Sequence, residues 1–142
     1  MNRYNNGQIE QHIYDALEEY FSGDVISGAL YPEDCRPLNS HAEDAVIAVG
    51  SVSAEQVQEG RARLNIYVPD INNGTGRPVK DKTRLDELSL LDTTIVELLN
   101  DAETDYLFSL AQATQQLADE AIGQHFVNIT LDFKLVTFNQ DE

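Results

Sequence analysis

One cysteine, Cys35, stands in 142 residues, so no disulfide closes within this chain and no cysteine-rich metal site can be built from it. No apolar run approaches the ~18 residues of a membrane span, and the opening MNRYNNGQIEQ lacks the apolar core of a leader. The chain is therefore expected to be soluble and unexported, with no membrane partner. Cations are scarce as well. Nine Lys and Arg stand against 25 Asp and Glu, a formal net charge of −16, and a surface of that sign repels phosphate backbones. Tight nucleic-acid binding is not expected. What is present is enough to pack: 42% hydrophobic and 8% aromatic residues belong to a folded chain rather than a disordered one. The length suits a single domain over residues 1–142.

The clearest pattern lies near the end, in HFVNITLDFKLVTF, residues 125–138. Val127, Ile129, Leu131, Phe133 and Leu135 recur at every second position with Asn128, Thr130, Asp132 and Lys134 between them, which is a strand with one buried and one wet face. Residues 56–70 alternate in the same way, Ala62, Leu64, Ile66 and Val68 against Arg61, Arg63, Asn65 and Tyr67, and Pro69 ends the run. Residues 45–53, AVIAVGSVS, predict a further strand, and Ala29–Tyr31 a short one at an edge. Two helices are expected. Ile9, Ile13, Ala16, Leu17 and Tyr20 form a helical stripe over residues 8–21, and Leu85, Leu88, Leu91, Ile95, Leu98 and Leu99 form another to about Asp101, opened by a capping pair, Thr83 and Asp86. Tyr106 to Gln116 predicts a strand that hairpins through residues 118–123 into the last one. The order is α-β-β-β-α-β-β, and the fold class is α+β: a mainly antiparallel sheet with both helices packed on one face.

Catalytic and ligand patterns fail one by one. His12, His41 and His125 are far apart and belong to no ligand or triad spacing, and Cys35 has no nucleophile signature around it. Adjacent acids such as Glu18 with Glu19 or Glu43 with Asp44 read as solvated surface in so acidic a chain. The segment from Asp70 has acids and amides near calcium-loop positions, but Gly74 offers no side-chain ligand, Thr75 stands where the turn glycine belongs, and Asp81 replaces the closing Glu. Nor are Gly74 and Gly76 followed by the lysine and hydroxyl of a phosphate loop. No catalytic, cofactor or metal residues are assigned. The glycosylation triplets at Asn73 and Asn128 are chance occurrences at this length.

One local feature departs from the composition. Arg77, Lys80, Lys82 and Arg84 place four of the nine cations in eight positions, at the end of a Gly- and Pro-rich loop, residues 70–81, expected to be flexible. They also stand at the start of the second helix, where the backbone dipole favours anions. A local rule broken without local gain points to an interface, against the plainer reading of a solvated basic turn.

With this order of elements, the chain resembles the tail-terminator and tail-completion proteins of the head-tail neck of long-tailed bacteriophages. The resemblance spans the first helix, the strand ending LNIYVPDI (64–71), the leucine-rich helix (85–99) and the closing ITLDFKLVTF (129–138). It implies a structural virion protein, assembled in the host cytoplasm, that forms a homo-oligomeric ring, commonly a hexamer. Such a ring caps the tail tube and joins it to the head, so its partners are tail-tube and head-completion proteins. An acidic ring suits passing DNA, because it does not hold phosphate. The resemblance carries no catalytic residues. The alternatives are a small acidic bacterial protein-interaction module without catalysis, and a small enzyme built from scattered acids.

Overall fold

A computed structural model describes residues 4–136 apart from 73, 75, 103 and 104. Its sheet is built on the two alternating runs. β3 (Val57–Pro69) and β8 (Gln124–Val136) pair antiparallel in one unbroken register, from Val57 opposite Val136 to Pro69 opposite Gln124. Ala62, Leu64, Ile66 and Val68 are buried beside Val127, Ile129, Leu131, Phe133 and Leu135, and each large side chain contributes about 1.5–3 kcal/mol when fully buried. Thr137 and Phe138, the end of the expected last strand, lie outside the described residues.

β2 (Ala45–Val52) joins β3 antiparallel, with a bulge between Val49 and Val52, and the short β1 (Leu30–Pro32) adds to β2 in parallel. The strand expected over residues 106–116 is two strands, β6 (Tyr106–Leu110) and β7 (Gln115–Asp119), which follow one another along the same edge of β8. Leu110 lies opposite Leu131 and Gln115 opposite Asn128. Four intervening residues on one side thus face two on the other, and the surplus bulges out between the strands. Close packing shows at Gly60, where an added Cβ would lie 2.8 Å from the Phe133 ring.

Helices cover one face of this sheet. α1 (Asn6–Phe21) starts in a reciprocal cap between Asn5 and Gln8 and buries Ile9, Ile13, Leu17 and Phe21 over β1 and β2. The leucine stripe is helical on both sides of a break, α2 (Lys82–Ser89) and α3 (Asp92–Asp101). At the break the Leu90 and Leu91 amides bond back to Glu87 and Leu88, a tightened turn that directs α2 toward β8 and α3 toward β6 and α1. The cap of α2 is Asp81, whose Oδ1 accepts from the Arg84 amide at 3.2 Å, two residues earlier than the Thr83–Asp86 pair predicts. Thr83 is inside the helix, where its hydroxyl cannot cap the first turn. The fold is α+β, mainly antiparallel, with the helices on one face.

Candidate subunit interface

The four clustered cations meet different fates. Between Asp70 and Asp81 the chain forms a hairpin, β4 (Ile71–Asn72) with β5 (Pro78–Val79), turned through Gly74 and Gly76 at φ +91° and +86°. Such backbone favours glycine. At its base, Asp70 Oδ1 lies 2.7 Å from His125 Nδ1, which ties the hairpin to β8. Arg77 and Lys80 are exposed on it and make no ion pair among the described residues. Lys82 meets Asp86 four residues on at 2.6 Å, an exposed helix pair.

Arg84 turns inward. Its Nε and Nη2 donate to both oxygens of Glu43 at 2.6 and 2.9 Å, and Nη2 also donates to the Val25 carbonyl at 2.6 Å. The pair is half-buried and two-pronged, the strong geometry for guanidinium and carboxylate. The Arg84 guanidinium holds the Glu43 carboxyl below the usual range, and Glu43 raises Arg84 in turn. Asp86 is also held low, first by the Gln116 amide and then by Lys82. Arg84 therefore pins α2 to the segment before β2. The cations exposed for an outside partner are Arg77 and Lys80.

Other candidate groups stay apart. His12 Nδ1 lies 2.7 Å from the Tyr106 hydroxyl, which burial pushes up, and its ring meets Tyr4 edge-on. His41 and Cys35 are exposed, and no three His, Cys, Asp or Glu among the described residues gather as metal ligands. The Asn128 amide donates to Asn65 and its carbonyl accepts from Thr130.

The uncovered sheet face carries a groove of about 860 Å³ lined by Gly50, Arg61, Arg63 and Lys134 among others. Its charges are largely matched across strands, Arg61 with Asp132 at 2.9 Å and Lys134 with Glu59 at 3.6 Å. Toward the other end of β3 is a cluster no motif announces. Arg36 Nε donates to Asp44 at 2.9 Å, its Nη2 donates to the Ala42 carbonyl and to Gln124, and its guanidinium carbon lies 4.4 Å above the Tyr67 ring. Seven residues of loop, 37–43, separate Arg36 from Asp44 in the sequence and hide the contact.

The fold and these contacts define a class: an acidic α+β domain with helices on one face, an open sheet on the other, and a basic hairpin at one end. No family model and no curated protein matches the chain. Among the solved structures that match, one aligns over 97% of this chain and 100% of its own, at 11% identity and a TM-score of 0.49. A likeness that distant carries no argument.

Proposed function

We propose that this chain is a structural protein of the neck of a long-tailed bacteriophage, a subunit of a ring that ends the tail tube and joins it to the head. The observation that carries the reading is how charge is divided. Arg77 and Lys80 are exposed on a hairpin that has only slight contact with the other elements. α1 and α3, in contrast, carry Glu10, Asp15, Glu18, Glu19, Asp92, Glu97 and Asp101 and no Lys or Arg. A patch and its complement at different places make a head-to-tail contact, which closes into a ring when the rotation allows. Exposed pairs contribute only about 0–1 kcal/mol each, so these charges orient subunits while other contacts supply most of the affinity. The neck role itself comes from the resemblance in element order, and the acidity supports it as a surface past which DNA can move.

Sedimentation of the parent beside Arg77→Glu/Lys80→Glu tests the ring. The double variant is expected to form the ring more weakly while the subunit's melting temperature stays within about 2 °C, since both positions lie on the surface. Equal assembly of the two at low protein concentration and low salt sinks the hairpin contact. A parent that never exceeds a dimer removes the ring and favours the interaction module.

A further inference from the structure

Of the eight large apolar side chains exposed among the described residues, five lie on or beside a single edge of the sheet. Leu107 and Leu110 are on β6, Leu117 is on β7, and Ile122 is in the turn after it. Leu90 follows Ser89, whose hydroxyl accepts from the Gln116 side chain at 3.1 Å. Leu90 and Leu107 are 77% and 64% exposed, well beyond a partly covered rim. The strand part of the strip is also neutral: residues 106–118 contain no Asp, Glu, Lys, Arg or His, thirteen positions in a chain that is 24% charged, and the first charge, Asp119, stands at the end of β7.

Strand edges elsewhere in the sheet are blunted. On β6, the Asn100 side chain donates to the Phe108 carbonyl at 3.0 Å and accepts from its amide at 2.7 Å, in place of a neighbouring strand. On the far side, β1 is three residues long and ends in Pro32, and the part of β2 that β1 leaves uncovered is bulged. These are recognised ways of preventing strand pairing. β7 has none of them. The Ala111 amide donates to the Thr130 carbonyl, so Thr130, and by alternation Asn128, Phe126 and Gln124, turn their backbone groups toward this edge. Their partners Gln115, Leu117 and Asp119 face inward. Gln116 and Ala118 therefore point their amides and carbonyls outward, and among the described residues no hydrogen bond is made by those groups.

We infer that β7 is a self-association edge, on which a second copy of this chain pairs its own β7 antiparallel across a two-fold axis. Gln116 of each copy then exchanges backbone hydrogen bonds with Ala118 of the other, and Leu117 meets its equivalent at the axis. Charge selects this occupant. Two molecules at −16 each repel over most of their surfaces, and the least repulsive approach puts neutral strip against neutral strip. A contact of one patch with the same patch is two-fold and closes at the dimer. It stands independently of the ring, and where both form it joins rings in pairs.

Sedimentation velocity of the full chain between about 1 and 100 µM, the range in which small interfaces assemble, is the test. It is run on Arg77→Glu/Lys80→Glu, so that the hairpin contact does not intervene, and that protein is expected to pass from monomer to dimer. Adding Ala118→Pro removes two outward N–H donors per dimer and no bond to β8, and should weaken dimerisation roughly tenfold or more. Ala118→Lys, which places a charge on the edge and leaves the backbone alone, should do the same with the circular dichroism unchanged. A protein that stays monomeric to the top of that range, one that grows into open polymers, or a dimer that both Ala118 variants leave intact overturns the inference.

Discussion

Asp44 is 2% exposed and carries a charge, which is tolerable only because every side of its carboxylate is occupied. Arg36, the Ala29 amide and the Ser40 hydroxyl all donate to it. Burying a pair gains little over a well-packed apolar pair, yet removing one member strands the other. Asp44→Ala therefore leaves Arg36, itself 12% exposed, as an uncompensated buried cation and is expected to cost about 3–5 kcal/mol. The denaturant midpoint measures it, and a loss under about 0.5 kcal/mol, the range of ordinary surface changes, would show the cluster to be slack. The Arg84–Glu43 clamp adds a pH dependence. Glu43 has its folded value lowered below 4.5, so its stabilisation is whole above that pH and lost as pH falls through the lowered value. Arg84, raised further above its ordinary value by the hydrogen bond to Glu43, stays charged throughout. Replacing Glu43 with Gln should therefore lower the melting temperature at neutral pH and flatten its acid-side decline. An acid limb identical to the parent's would mean that other carboxylates govern it.

At the scale of elements, truncation separates core from surface. Ile95→Ala on α3 and Leu131→Ala on β8 each empty a fully buried position and are each expected to cost about 2–5 kcal/mol, depending on how far the site collapses. Urea unfolding reports the value, and a cost within surface range for either residue would put it outside the core. The same two elements show what periodicity makes legible. Strict alternation in residues 57–69 and 124–136 is a purely local signal, and so are the stripes of α1 and of α2 with α3, which is why the layers could be read from the chain. Breaks in elements could not. The turn at Leu90 and Leu91 changes direction without interrupting the apolar spacing, and the bulge between β6 and β7 is a mismatch against β8 that no inspection of residues 106–119 alone can reveal. The hairpin within residues 70–81 is short enough to read as loop. The basic cluster was visible as a cluster, yet its division was not: Arg84 is committed to Glu43, 41 positions away, and only tertiary structure shows that Arg77 and Lys80 remain.

For the whole molecule, net charge and its two exceptions govern association, and salt separates them. General repulsion between copies at −16 acts over distances comparable with the Debye length, about 10 Å at 0.1 M and 3 Å at 1 M. Raising salt removes that repulsion from every contact alike. The only charge on β7 is Asp119 at its end, alike in both copies, so a contact there has no attraction to lose and gains from the screening, and its apolar part is not weakened by salt. The hairpin contact loses its attraction as well, because Arg77 and Lys80 act through exposed pairs that are screened over the same range. Dimerisation of Arg77→Glu/Lys80→Glu through β7 should thus tighten between 0.05 and 1 M NaCl, taken as roughly the span over which the Debye length falls to a few ångströms. Ring formation by Ala118→Lys, which retains only the hairpin contact, should weaken over the same span. Sedimentation equilibrium on the two variants decides the matter: slopes of opposite sign support two distinct contacts, whereas a common slope means that one surface of this protein accounts for all of its assembly.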